Sequence, residues 1–369
     1  MRGAGNRLMF LPPMDIFQAT KGYESWLERR LPLIAADLKL KHRRMAENPF
    51  DFLRATFYRW RQLWREVCAN LAATPAVLGV GDLHIENFGS WRDCEGRLIW
   101  GVNDLDEACQ LPYANDLVRL AASTQLAART GQLSCDSKAV CDAISAGYED
   151  AFLKGGRPVV LAEHNGWLRD LALDSLRDPV RFWEKFEHWP SKSAPAEVRK
   201  ALAQALPERR IAFRVVHRQA GLGSLGRRRF TALGQWRGGL VAREAKELTV
   251  SAWYWEKPAA SQSRLLYEEL MNRAVRVADP WVRVQGRWVI RRLAPDCSRI
   301  ELSSLLKVKD ELKLLYGMGW ETANVHLGSR QAARKVMRDF RKRPAKWLRE
   351  ASAAMVAATM RDWKRWRAK

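Results

Sequence analysis

Long apolar runs, metal-spaced histidines and paired cysteines are all missing from these 369 residues. No stretch approaches the roughly 20 apolar residues needed to cross a bilayer. The opening MRGAGNRLMFLPPMD carries only a short apolar segment before Pro12 and Pro13, too little for a secretory signal with its cleavage site. The six cysteines (Cys68, Cys94, Cys109, Cys135, Cys141 and Cys297) include no C-x-x-C pair, so they read as reduced thiols and not as a zinc site or disulfide framework. Six scattered histidines offer no zinc spacing, and no G-x-S-x-G, H-E-x-x-H or Walker A sequence is present. The cytoplasm is the compartment expected of such a chain.

Acidic residues are also scarce. There are 63 Lys and Arg against 41 Asp and Glu, a formal charge of +22. That excess suits an anionic partner, whether nucleotide, nucleic acid or membrane surface, and says nothing about fold. The length exceeds what one small core needs, so two lobes are expected.

Residues 14–72 have a helical pattern, with a basic patch from Lys39 to Arg44. Leu53, Phe57, Trp60 and Trp64 fall on one helical face. Two strand-like runs follow, AVLGVGD and RLIWGVNDLD, separated by the turn-rich SWRDCEG. Helices are expected from about Asp116 to Leu206, with breaks near Gly155–Gly156, Asn165–Gly166 and Pro190. From Ile211 the texture changes: IAFRVVH reads as a strand, AGLGSLG as a glycine loop, RRRFTAL and LVAREAKEL as further strands. A helix over Ser263–Ala278 and a hairpin, WVRVQ-GR-WVIRRL, come next, and the chain from about Glu301 is mainly helical.

The segment Gly81–Asp106 carries the chemistry. Phosphoryl transfer asks a protein mainly to position groups and neutralise charge. One carboxylate must accept or orient the acceptor hydroxyl, and an amide oxygen with further carboxylates must hold Mg²⁺. GDLHIENFG supplies Asp82 and, five residues on, Asn87; VNDLD supplies Asp104 and Asp106 at the end of the next strand. Asp106 and Glu107 crowd negative charge beside Asp104, an arrangement that calls for a cation opposite it. Turns capping neighbouring strands are the plainer use of such Asp- and Asn-rich loops. His84 is either a site residue or a histidine that braces the loop.

At these residues the sequence resembles the aminoglycoside and choline kinase branch of the protein-kinase-like fold, whose catalytic loop reads H-G-D-x-H-x-x-N and whose metal motif reads I-D-x-x. Gly81-Asp82-Leu83-His84-Ile85-Glu86-Asn87 matches without a gap, while Val80 stands where that branch has its leading His. The resemblance implies Asp82 as catalytic base and Asn87 and Asp104 as metal ligands. It also makes Asp116 a buried helix-start residue that caps the helix and anchors the loop. Over most of residues 45–330 the chain further resembles the bacterial domain-of-unknown-function family 2252, which shows GDxHxxNFG, NDFDE and GxGSxG; here they read GDLHIENFG, NDLDE and GLGSLG.

Gly221-Leu222-Gly223-Ser224-Leu225-Gly226 fits G-x-G-x-x-G, a weak motif alone. A dinucleotide fingerprint should open a helix. Here a strand follows, and three basic residues poorly suit a helix N-terminus. Strand–glycine loop–strand is the kinase arrangement, with Gly221, Gly223, Ser224 and Gly226 over nucleotide phosphates; an ordinary glycine-rich hairpin is the alternative. Arg243 aligns with the lysine that usually pairs the phosphates in that arrangement, and Lys246 close by is the alternative. Three residues apart on a strand, they point to opposite faces, so only one can face the site. Glu268 or Glu269 on the following helix would be its partner.

The expectation is therefore an α+β, bilobal protein-kinase-like fold in which the catalytic loop precedes the glycine loop, as in a circular permutation. A helical lobe over 1–210 would carry the catalytic and metal loops, and 211–300 a small antiparallel-sheet lobe. Helices over 301–369 would return to the helical lobe. The implied activity is Mg²⁺- and ATP-dependent phosphoryl transfer to an unidentified acceptor. The competing reading is a nucleic-acid-binding protein, or a pseudokinase-like scaffold that binds nucleotide without turnover. Its source is the basic surface and the tail after Arg330, where Lys and Arg interleave with Phe340, Trp347, Trp363 and Trp366. An amphipathic surface helix is a further use for that tail, and a solvated helix whose aromatics pack on the body is the plainer one.

Overall fold

The computed structural model describes residues 14–161, 165–172, 178–257, 264–295, 297 and 308–369. Four helices come first: α1 (Ile16–Glu28), α2 (Ala35–Glu47), α3 (Pro49–Ala55) and α4 (Phe57–Val67). Local sequence writes two of their starts. Asp15 and Gln18 form a reciprocal capping box on α1. Asn48 accepts from the Asp51 amide at α3, with Pro49 in the first turn, where a missing N–H costs nothing.

Next come four strands: β1 (Ala76–Gly79), β2 (Phe88–Arg92), β3 (Leu98–Val102) and β4 (Cys109–Pro112). β1 pairs with β4, and β2 with β3, both antiparallel. Only the first and third of these were expected. β2 is buried on both faces and so shows no alternation, and Ser90, Trp91 and Arg92 of SWRDCEG belong to it; β4 is four residues long and ends in Pro.

Helices α5 (Tyr113–Arg129) and α6 (Ser137–Leu153), strand β5 (Val159–Val160), and helices α7 (Gly166–Ala172), α8 (Pro179–Glu187) and α9 (Ala196–Ala205) lead to the second sheet. It contains β6 (Phe213–His217), β7 (Arg229–Trp236), β8 (Gly239–Glu247), β9 (Arg283–Gln285) and β10 (Trp288–Leu293), ordered β6-β7-β8-β10-β9 and antiparallel throughout. The β7–β8 turn is two residues, Arg237 and Gly238, both at positive φ. That turn twist matches the strands it joins. Between β8 and β9 lies α10 (Tyr267–Arg273), shorter than the Ser263–Ala278 span expected, part of which falls outside the described residues. Three helices close the chain: α11 (Val308–Leu327), α12 (Arg330–Lys342) and α13 (Trp347–Arg367).

The protein is thus α+β, with small antiparallel sheets and a larger helical part. The main apolar core lies among α4, α5, α6, α11 and α13 and reaches β1–β4. Helices α6 and α11 cross so closely that a Cβ on Gly147 would strike the Tyr316 carbonyl, and one on Gly319 the Ile144 carbonyl. The second sheet alternates. Phe230, Ala232, Ala245 and Ile290 pack under Val198, Ala201 and Leu202 of α9, while Val216, Leu233 and Ala242 turn to Phe186 of α8 on the other face. Among the described residues no helix is long and apolar enough to cross a membrane.

Candidate functional site

The two halves meet at a cleft of about 540 Å³ that brings Asp82, Asn87, Asp104 and Asp106 together with Gly221–Ser224. Each wall can be built from its sequence.

The 80–87 loop is held by one buried carboxylate. Asp116, in the first turn of α5, accepts from the Val80 amide (2.7 Å) and the Gly81 amide (3.0 Å). Because a carboxylate only accepts, His326 Nε2 on α11 donates to the same Asp116 oxygen as Val80 (3.1 Å), and its Nδ1 meets the Tyr148 hydroxyl (2.8 Å). All of Asp116 is buried. The expected loop anchor is therefore in place, but it is not the helix cap, since Pro112 occupies the N-cap position. Gly81 has φ +79°, and a Cβ there would strike the Glu107 carbonyl, so both backbone conformation and space require glycine.

Asp82 leaves this turn pointing into the cleft. Its Oδ1 forms a two-nitrogen ion pair with Arg119. Arg119 is fully buried on α5, stacked over Phe57 and Trp60 at 5.0 and 4.8 Å. Burial pushes the Asp82 carboxyl up to about 7, against the opposing pull of Arg119. Asn87 donates its amide to the Asp82 carbonyl (2.6 Å), and its own carbonyl accepts from Asn103 (3.0 Å). That bond extends the β2–β3 register, in which Phe88 faces Val102, and sets Asn87 beside the Asn103–Asp106 turn. His84 is buried, and its Nδ1 accepts from the Glu86 amide (3.2 Å), which is the bracing role.

The carboxylates after β3 meet cations of this chain. Lys246 Nζ lies 3.2 and 3.3 Å from the two Asp104 oxygens and forms an ion pair with Asp106. Burial opposes ionisation of Asp104, but Lys246, helped by Arg291, holds its carboxyl below the usual range. Asp106 goes the other way, pushed up to about 6 by burial and by the Asp104 charge. Asp104 keeps 37% of its side chain exposed to the cleft. Glu107 accepts from Arg227 (2.8 Å) and from the Ala252 amide (2.6 Å). The crowded negative charge is thus answered within the fold by Lys246 and Arg227. Among the described residues no group of three His, Cys, Asp or Glu converges as a metal site, so a cation here would also need the Asn87 amide.

Arg243 and Lys246 do point to opposite faces of β8. Lys246 points to the cleft side, where it is buried against Asp104 and Asp106; Arg243 turns away, with Nε on the Ala205 carbonyl (2.7 Å) and its guanidinium over Trp281 (5.2 Å). The favoured alignment of Arg243 with a cleft cation is corrected by this placement. Glu268 is exposed on α10 and does not line the cleft, and Glu269 pairs with Arg264 and Arg273. Neither helix glutamate meets Lys246, whose partners are Asp104 and Asp106.

The glycine loop joins β6 to β7, strand to strand, and docks on the helical side. Leu222 and Leu225 pack with Ile16, Met45, Phe52 and Ala55, and Lys41 donates to the Gly223 carbonyl (3.3 Å). A Cβ on Gly223 would sit 3.2 Å from Asp82 Oδ2 and 3.0 Å from the Arg54 carbonyl. Gly221 has φ +73° and Gly226 φ +98°, left-handed positions that favour glycine. Ser224 spends its hydroxyl inside the loop, donating to the Gly221 carbonyl (3.1 Å) and accepting from Arg229 (2.9 Å).

Arg119, Arg227 and the Glu244 group were not anticipated. Glu244, beside Lys246 on the cleft face of β8, is fully buried among Arg218, Arg229 and Arg291 at 2.7–2.9 Å. Despite the cost of burial, those three guanidiniums hold its carboxyl well below the usual range. A signal did exist for Arg119. An arginine inside the apolar DLVRLAAS, three residues after Asp116, shares that residue's helical face and must find a buried partner. In all, ten Lys and Arg line the cleft against six carboxylates, so it favours a polyanion.

Residues 32–175 match the family model described as an uncharacterized protein conserved in bacteria (DUF2252), which supports the resemblance drawn from GDLHIENFG and NDLDE. The match includes Asp82, Asn87 and Asp104 and ends before the glycine loop. No curated protein and no solved structure matches the chain.

Proposed function

We propose that the cleft is a kinase-like phosphotransferase site of permuted order, moving the terminal phosphoryl group of ATP to an unidentified acceptor with Mg²⁺. One observation carries the reading: Lys246 of the sheet reaches the Asp104–Asp106 corner while Gly223 of the adjoining loop lies against Asp82. Base, acidic corner, lysine and glycine loop, which phosphoryl transfer needs together, come from segments up to 164 residues apart.

The donors fit a hard divalent cation. Asp104 and Asp106 offer carboxylate oxygens, now held by Lys246, and the Asn87 amide nitrogen is already engaged, which leaves its oxygen as the third donor. When bound there, Mg²⁺ would neutralise phosphate charge. Lys246 turns from the carboxylates to phosphate oxygens as nucleotide enters, and Arg229 and Arg291 add positive charge beside it. Trp91, Tyr267, Met271, Val282 and Leu293 add apolar lining suited to a base. Asp82, raised to about 7, takes the acceptor hydroxyl proton near neutrality. The acceptor oxygen bonds to the terminal phosphorus as the bridging P–O bond breaks, and Arg119 holds Asp82 in position. The 1–210, 211–300 and 301–369 division is the lobe plan this reading assigns.

The second reading, a pseudokinase-like scaffold without turnover, draws on the Arg119 ion pair, which occupies one oxygen of the base. A thermal-shift screen of nucleotides with and without Mg²⁺, on wild type and Asp104→Ala, tests the proposal. At about 100 times Kd, Mg-ATP should add roughly 2.7 kcal/mol to wild type and lose that effect in Asp104→Ala. Stabilisation with no phosphorylated product from any acceptor pool supports the scaffold. No stabilisation by any nucleotide rejects both.

A further inference from the structure

The geometry points to a second binding surface, independent of the cleft: the outer face of α12 is a docking strip for the phosphate backbone of double-stranded nucleic acid. Half of the net charge sits at this end of the chain. Residues 330–369 hold fourteen Lys and Arg against three Asp and Glu, a net +11 out of +22. The three acids are spent locally, Asp339 on Arg343 and Tyr113, Glu350 on Lys346, and Asp362 on Arg59.

Helix α12 sorts its residues by face. Val336 and Phe340 are buried, and Phe340 packs against Tyr113, Tyr148 and Trp347. On the opposite side Arg330, Arg334, Lys335, Arg338 and Lys342 are all exposed. Among the described residues none of these five has an ion-pair, hydrogen-bond or ring partner. Four of them recur every fourth residue, a rise of about 6 Å per step and about 18 Å in all. A helix clamped by aromatic packing thus presents a ready row of cations, which a row of phosphates would neutralise with release of counterions.

The occupant follows from what the face lacks. Single-stranded binders add exposed aromatics on which bases stack, and here Phe340 and Trp347 are turned inward. Membrane-surface helices insert an apolar face into lipid, whereas the apolar side of α12 is already covered by protein, and the large exposed apolar residues (Leu153, Val180, Leu240 and Trp281) lie on other elements. Phosphate contact without base stacking or lipid insertion is what duplex binding requires.

Fluorescence anisotropy with a labelled DNA duplex of about 24 base pairs, titrated between about 50 and 200 mM salt, tests this. Five phosphate contacts predict a log–log salt slope near −4.5, a loss of roughly 500-fold over that range. A variant with all five positions changed to Gln should lose most binding at low salt and most of the slope, with an unchanged circular dichroism spectrum. The control changes five exposed cations elsewhere, Lys21, Lys192, Lys200, Arg209 and Arg210, to Gln and should keep at least half the wild-type affinity. Equal loss in both variants would reduce the effect to diffuse charge. An inert duplex with retained binding to phosphatidylserine vesicles would assign the strip to membranes. Either result, or no binding at all, overturns the inference, whatever the cleft proves to do.

Discussion

Behind each wall of the cleft lies a fully buried carboxylate, Asp116 on one side and Glu244 on the other, and the two are satisfied differently. Asp116 is shared between backbone amides and the His326–Tyr148 pair. Glu244 is surrounded by three arginines. The first arrangement fixes a backbone path and so fixes where Asp82 points. The second fixes a field: one buried anion cannot balance three guanidiniums, and the surplus faces the cleft. One wall positions and the other attracts, which is the division of labour phosphoryl transfer asks for.

Breaking each centre should show the contrast. Glu244→Gln leaves three cations without their counter-charge, and removing one partner of a buried ionic group costs about 3–5 kcal/mol. Urea denaturation should find that loss; a change under about 1 kcal/mol would mean the arginines are satisfied without Glu244. Asp116→Asn keeps an acceptor but turns an amide NH₂ toward an N–H or imidazole, for about 1–3 kcal/mol by the same measurement. The order Glu244 before Asp116 is the content of the comparison, and its reversal would contradict it.

Smaller changes sharpen the picture at the seam. Gly223→Ala places a Cβ 3.2 Å from Asp82 Oδ2 and 3.0 Å from the Arg54 carbonyl. Stability should change by less than about 1 kcal/mol, while turnover drops up to about 100-fold, because slight misplacement of reacting groups is costly. Equal turnover in both proteins would separate the loop from the chemistry. The last effect is one of pH. With Asp82 raised from its ordinary 3.8 to about 7, turnover should increase roughly tenfold from pH 6 to 8 as the base ionises. Folding responds oppositely. Between about pH 4 and 7 the folded protein holds this proton more tightly than the unfolded chain, so the Asp82 contribution to stability is full below pH 4 and is lost as pH rises through 7. A pH-independent rate would remove Asp82 as base.

The sequence announced the acidic loops because their residue types and spacing are local: Gly81, Asp82, Asn87 and Asp104 lie within 24 residues. It announced the strand–loop–strand character of 211–247 for the same reason. It left Arg243 and Lys246 undecided, since strand alternation says they diverge but not which face meets the cleft; that depends on α9 covering the other side. Glu268 misled because a helical glutamate pairs with whatever lies above it, and α10 points that residue to solvent. The Glu244 group was invisible, being assembled from β8, β10, Arg229 and the loop residue Arg218, up to 73 residues apart.

Calorimetric titration of ATP into wild type and Lys246→Met, each with and without Mg²⁺, tests the central claim most directly. The cleft described here predicts Mg²⁺-dependent binding to wild type and at least about tenfold weaker binding to Lys246→Met, a difference of about 1.4 kcal/mol. Equal affinity in the two proteins, or binding indifferent to Mg²⁺, would contradict it.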